Sequence, residues 1–227
     1  MSTSFLHTGP DDAAATLLLA HGSGAPMDST AMNAATDVLA AEGLRVVRFE
    51  FSYMAARRTE GSRRPPPKAE TLNPEFRTAI ADLAAKGPLI IGGKSMGGRV
   101  ASMVADELFA EGRIAGLLCL GYPFHPREKP EQPRTAHLMT LKTPALICQG
   151  TRDPFGTRDE VITYGLPEHI RLLWLEDGDH DLKPRKTVSG FSAADHLATM
   201  AAAVKAWTGT LGGRHGARTS SQIDSPC

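Results

Sequence analysis

Short apolar runs rich in Leu, Val and Ile recur along the chain at 16–20 (TLLLA), 44–50 (LRVVRFE), 88–92 (PLIIG), 114–120 (IAGLLCL), 144–149 (PALICQ) and 170–175 (IRLLWL). Runs that are apolar throughout, rather than at every second position, predict strands buried on both faces, as in a parallel sheet. The segments between them carry helical spacing. Asn73-Pro74-Glu75 predicts an N-cap, a proline at the first helical position and an acidic first turn. Phe76, Ile80 and Leu83 then share one face, and Gly87-Pro88 is expected to end the helix. Met96 to Glu111 repeats the pattern with Val100, Val104 and Leu108, closed by Gly112. Ser192-x-x-Asp195 predicts a capping box ahead of a last helix that buries Leu197, Met200 and Val204. Strand and helix in regular alternation predict an α/β fold: a doubly wound, mostly parallel sheet of six or seven strands with helices on both faces. Two Pro- and Arg-rich stretches, 52–69 and 121–136, read as loops, and 209–227 as a disordered tail behind a single domain spanning 1–208.

Composition narrows the setting. A chain of 227 residues supports one sizeable core. Its 25 basic and 25 acidic side chains cancel, so no global field draws it to nucleic acid or to an anionic membrane. The apolar run from Ala13 to Ala20 has no basic flank and is too short to span a bilayer. Cys119, Cys148 and Cys227 lack metal-ligand spacing, and the first two lie inside apolar runs; buried free thiols and a cytoplasmic location are expected.

Candidate chemistry centres on IIGGKSMGGRV, residues 90–100. Gly93-Lys94-Ser95 resembles the end of a phosphate-binding loop. The first glycine of that motif would fall at Pro88, however, and Leu89 to Ile91 would have to be loop instead of strand. Gly93-x-Ser95-x-Gly97 fits the alternative, a nucleophile on a sharp turn between strand and helix, with small residues where the two pass closely. A serine hydroxyl needs a base, and the base needs an orienting acid. In a doubly wound sheet both belong beyond the carboxyl ends of later strands, where Asp153 follows the run 144–149 and His180 follows 170–175. An oxyanion hole would use the backbone N–H of Met96 and that of Ser23 in His21-Gly22-Ser23-Gly24. Asp177 and Asp179 read as turn formers, Glu50 as a structural carboxylate and His21 as a support of the oxyanion loop.

These motifs, HGSG, GKSMGG, GTRDPFG and DGDHDLKP, resemble those of the small dienelactone-hydrolase-like α/β-hydrolases over residues 14 to 208. Within that group the likeness points to the branch of the testis-expressed and NSL-complex hydrolase-like proteins. The resemblance implies the α/β-hydrolase fold and acyl hydrolysis through a covalent acyl-enzyme, with no metal or organic cofactor. Dienelactone hydrolases proper use a cysteine nucleophile, whereas position 95 is serine, which argues against lactone substrates. A hydrolase fold can also be reused as a binding module, so a catalytically silent domain that binds a ligand or partner is the alternative.

Gly22-x-Gly24 with Glu50 imitates a dinucleotide fingerprint, but Pro26-Met27 stands where its third small residue belongs. Caps over the active site of this fold usually enter after the strand at 114–120. The insertion here is short and polar, so a minimal cap and a small soluble acyl substrate are expected. The cluster Arg57, Arg58, Arg63, Arg64 and Lys68 follows a strand that borders the expected site. A solvated, proline-stiffened loop is its plainer reading, and binding of a substrate carboxylate or phosphate the functional one. Tyr53 and Phe124 are candidates for the same cleft. Lys94 is expected either to sense substrate charge or to point to solvent.

Overall fold

The computed structural model of the chain describes residues 3–61 and 65–211. In chain order the elements are β1 (Phe5–Thr8), β2 (Thr16–Ala20), α1 (Thr30–Ala41), β3 (Arg45–Phe49), α2 (Ser52–Glu60), α3 (Asn73–Leu83), β4 (Leu89–Lys94), α4 (Met96–Ala110), β5 (Gly116–Leu120), β6 (Ala145–Gly150), α5 (Arg158–Val161), β7 (Ile170–Leu175), α6 (Lys186–Ser189) and α7 (Ala193–Leu211). The strands form one sheet in the order β1-β3-β2-β4-β5-β6-β7. Every pairing is parallel except that of β1, which runs antiparallel to β3 with Phe5 opposite Phe49. This edge strand has no counterpart in the hydrophobic runs, because FLHT is only partly buried and carries a histidine.

Alternation along the strands divides the core in two. Leu18, Val47, Ile91, Cys119 and Ile147 face α3 and α4, where Phe76, Val100, Val104 and Leu108 meet them. Leu17, Val46, Ile90, Leu118 and Leu146 face α1 and α7, against Leu39, Met200, Val204 and Trp207. The apolar runs are therefore covered on both sides, the reason they lack the polar alternation of a half-exposed strand.

Several expected boundaries hold and others move. Gly112 adopts φ +69° just past α4. Ser192 and Asp195 exchange capping hydrogen bonds, Ser192 N–H to Asp195 Oδ2 at 2.7 Å and Asp195 N–H to Ser192 Oγ at 3.2 Å. The last helix runs to Leu211, past the expected limit at 208, because Trp207 and Leu211 are buried over Gly116; the rest of the expected tail, 212–227, lies outside the described residues. Asn73 does not cap α3. A 3₁₀ turn over Ala69–Leu72 feeds straight into the helix, so Asn73 is already helical and its side chain makes no cap. The helix also ends early, at Ala84 with φ 44°, before Gly87.

Residues 52–60, expected to be loop, form α2. The prolines that suggested a loop begin only at Pro65, and Tyr-Met-Ala-Ala-Arg-Arg consists largely of helix formers. Glu75 of α3 accepts hydrogen bonds from Ser52 N at 2.7 Å and Ser52 Oγ at 2.8 Å, which supplies the helix start, and Gly61 at φ 65° closes its end. Between β5 and β6, by contrast, the only regular structure is a 3₁₀ turn at Leu138–Thr140. That segment lies against the body through His125 N–H to Phe155 O at 3.1 Å, and among the described residues there is no separate cap domain. No described helix is long and apolar enough to cross a membrane.

Candidate active site

The chain reverses its direction of growth across the sheet between β2 and β4, and both strands deliver their next residues to the same crevice. β4 hands over to α4 through Ser95 alone, which adopts φ 51° and ψ −115°. That region is disfavoured for a residue with a Cβ, so its occupation stores strain at one side chain. The surroundings enforce it. A Cβ at Gly93 would lie 2.4 Å from Ala20 O, and one at Gly97 would lie 2.5 Å from Ala20 O and 2.6 Å from His21 O. Only glycine at these two positions lets α4 start this close to β2, and Ser95 N–H is held by Leu120 O at 3.0 Å.

Ser95 Oγ is 2.8 Å from His180 Nε2, and His180 Nδ1 is 2.8 Å from Asp153 Oδ2. Asp153 is fully buried beyond β6, and its other oxygen accepts from Phe155 N–H at 2.8 Å. Gln149, buried at the end of β6, donates from Nε2 to Asp153 Oδ2 at 2.9 Å while its Oε1 accepts from Tyr122 N–H at 2.7 Å. This amide holds the carboxylate in the rotamer that meets His180; its place inside an apolar strand run was the only hint in the sequence. Sequence spacing thus brought three residues of suitable type to one place, where the hydroxyl can pass its proton to an imidazole oriented by a buried carboxylate.

The loop carrying His180 is pinned from behind. Asp177 accepts from Arg185 N at 2.6 Å and from Arg185 Nε at 3.0 Å, and Arg152 Nε donates to Asp177 O at 2.7 Å. These contacts, above all the Arg185 hydrogen bond, lower the Asp177 pKa to about 2. Asp179 closes a turn by accepting from Asp181 N and Lys183 N, as turn formers do. Lys94 neither reaches the cleft nor points to solvent. It is largely buried, donates from Nζ to His180 O at 2.6 Å and lies 3.4 Å from Asp181 Oδ1; burial lowers its pKa, with the neighbouring aspartates opposing.

The loop after β2 is held just as firmly. Phe51 N–H donates to His21 Nε2 at 3.2 Å, so the proton sits on Nδ1 and is donated to Gly22 O at 2.6 Å. Burial lowers the His21 pKa, in keeping with this neutral form. Tyr53 Oη donates to Ser23 O at 3.1 Å. Ser23 and Met96 both line a cleft of about 430 Å³ that contains Ser95 and His180.

Four residues expected at the cleft behave otherwise. Tyr53 supports the Ser23 loop from behind and is not part of the cleft lining. Arg57, one helical turn later, stacks over the Tyr53 ring at 5.3 Å. Arg58 is drawn away by two carboxylates, Nε to Glu50 Oε2 at 2.8 Å and Nη1 to Asp28 Oδ2 at 2.9 Å, and borders a separate hollow of about 770 Å³. The helix accounts for this division, since residues 53 and 57 share a face and 58 is turned from it. Phe124 is fully buried, its ring 4.9 Å from Tyr122 and capped by the backbone of Gly156. Arg63 and Arg64 lie outside the described residues. The cations that do line the cleft are Lys68, Arg99 and Arg134. Arg99 follows Ser95 by one helical turn, a signal available in the sequence; Arg134 comes from a loop whose path no spacing rule predicts.

Residues 13–209 match a protein family described as alpha/beta hydrolase domain. Among solved structures, the fold is similar to a dienelactone hydrolase from Anabaena variabilis, with TM-score 0.69 and 19% identity over 92% of each chain. It is also similar to a lidless α/β serine hydrolase from Xanthomonas campestris, with TM-score 0.60 and 18% identity over 99% of this chain and 97% of that one. An esterase domain from a Rhodothermus marinus protein aligns with TM-score 0.62 and 18% identity, covering 89% of this chain and 90% of the other. At such identities the structural likeness is one of fold.

Proposed function

This chain belongs to the alpha/beta hydrolase domain family, and from that premise we propose that it is a serine hydrolase acting on small, soluble carboxylic esters. The observation that carries the proposal is the unbroken relay Ser95 Oγ, His180, Asp153 Oδ2, with 2.8 Å at both junctions, on a turn whose serine has φ 51°. In this reading His180 Nε2 takes the proton of Ser95 as Oγ bonds to the acyl carbon. Asp153 keeps the Nδ1 proton in place and stabilises the imidazolium. The N–H groups of Met96, at the start of α4, and Ser23 would receive the oxyanion. His180 then returns its proton to the departing alkoxide, leaving an acyl-Ser95 ester. Water repeats the sequence, giving its proton to His180 as it attacks, and Ser95 leaves with that proton. Among the described residues the segment between β5 and β6 builds no separate cap domain over the cleft, which supports small substrates. The buried, free thiols of Cys119 and Cys148 agree with a reducing, cytoplasmic setting.

The test is labelling with a fluorophosphonate probe. Wild type is expected to label, Ser95→Ala not at all, and His180→Ala at least about a hundredfold more slowly. A folded wild-type protein that does not label would overturn the hydrolase reading and favour a ligand-binding module.

A further inference from the structure

The cleft beside Ser95 is lopsided in charge. Its lining contains three cations, Lys68, Arg99 and Arg134, and one carboxylate, Glu70. Glu70 is already taken, because Arg99 Nη2 is ion-paired with it. Arg99 keeps a buried Nε without a partner among the described residues. Arg134 differs from Arg99 and from arginines elsewhere in the fold. Arg58, Arg152 and Arg185 each meet a carboxylate, and Arg48 meets Asn33 and a backbone carbonyl. Among the described residues, no carboxylate and no hydrogen-bond acceptor meets the Arg134 guanidinium, although the residue is half-buried. Its backbone is nevertheless fixed: Arg134 N–H donates to Phe124 O at 2.6 Å, and the buried Tyr122 Oη donates to Arg134 O at 3.0 Å. Burial, and after it the charge of Arg99, lowers the Arg134 pKa, with Tyr122 and Glu70 opposing. A fixed backbone thus presents a guanidinium, unpaired among the described residues, to the space around a serine, an arrangement that suits an anion.

We propose that Arg134, with Arg99 beside it, forms a carboxylate-binding subsite, so the preferred ester carries a free carboxylate on its acyl or its alcohol side. This inference rests on the serine-hydrolase reading. It replaces Arg58 with Arg134 as the source of any anionic preference. The size of the cleft, about 430 Å³, suits a compact half-ester. Proline walls at Pro66, Pro67 and Pro123 limit how far it can widen.

Two matched pairs test it. On the acyl side, 4-nitrophenyl hydrogen succinate is compared with 4-nitrophenyl butyrate; on the alcohol side, 3-acetoxybenzoate with 3-acetoxytoluene. A charge-assisted hydrogen bond predicts that the anionic member of one pair is preferred about ten- to a hundredfold in kcat/KM. That preference is expected to fall towards unity in Arg134→Met and to survive in part in Arg134→Lys. Equal use of both members of each pair, or a preference that persists in Arg134→Met, would overturn the proposal. Calorimetric titration of monomethyl succinate into Ser95→Ala, with and without Arg134→Met, reads the subsite without turnover. Binding that requires Arg134 supports the subsite even if the fluorophosphonate fails to label, and equal or absent binding in both overturns it.

Discussion

Replacing Asp153 by Asn separates the role of its charge from that of its shape. The carboxylate receives three N–H groups: Phe155 N–H on Oδ1, and Gln149 Nε2 and His180 Nδ1 on Oδ2. An asparagine offers one oxygen and one NH₂. With its oxygen towards Phe155, the NH₂ faces two donors. Gln149 retains Tyr122 O and Gly156 O, each at 3.2 Å, and tolerates the change. His180 has no such choice: its proton must move to Nε2, the nitrogen that has to accept from Ser95. With the amide flipped, His180 keeps its tautomer but the buried Phe155 N–H loses its acceptor, a cost of about 1–3 kcal/mol. In either orientation the imidazolium loses its counter-charge, worth about 4 kcal/mol at 4 Å and an effective dielectric of 20. Loss of the counter-charge raises the barrier by about 4 kcal/mol, or about a thousandfold in kcat. Folding stability, in contrast, falls only by the cost of the unpaired group, about 1–3 kcal/mol. The assay is hydrolysis of a short 4-nitrophenyl ester at pH 8, beside urea unfolding of the same samples. A variant that keeps more than a tenth of wild-type kcat would refute the claim that this carboxylate orients the base.

Three further outcomes follow from the same geometry. Lys94→Met removes the donor on His180 O and is expected to slow fluorophosphonate labelling about tenfold, with Lys94→Arg recovering part of the loss; unchanged labelling would show that the buried ammonium does not position the histidine. Because the Asp177 pKa is depressed to about 2, below the ordinary carboxylate range, its contribution to stability is complete above about pH 4 and lost as the pH falls towards 2. The difference in urea midpoint between wild type and Arg185→Met is therefore expected to shrink between pH 6 and pH 2, and a gap independent of pH would contradict the assignment. Gly97→Ala forces a Cβ to within 2.6 Å of two backbone oxygens on a neighbouring segment, so it is expected to cost about 3 kcal/mol or more by thermal denaturation. A melting temperature equal to that of wild type would mean that the turn is looser than the structure describes.

The doubly wound sheet and the meeting of Ser95, Asp153 and His180 could be read from the sequence because both rest on local, repeating rules. Buried parallel strands need continuous apolar runs, a nucleophile on a strand-to-helix turn needs small residues two positions either side, and the carboxyl ends of successive strands necessarily converge on one edge of the sheet. What surrounds that edge followed other forces. The stretch 52–60 looked like loop beside its prolines, yet a carboxylate from α3 caps it into a helix, and Glu50 with Asp28 then turns Arg58 away from the cleft. Phe124, expected at the surface of a site, is buried with its ring between Tyr122 and the Gly156 backbone. The half-buried edge strand β1 was invisible for lack of a hydrophobic run, and Gln149 meets the Asp153 carboxylate and Tyr122 N–H only through partners 4 to 27 residues away. Local sequence determines which backbone forms and where a motif sits, since those depend on nearest-neighbour sterics and periodic burial. Which charge faces the cleft depends on long-range competition for partners, and only the tertiary structure decides it.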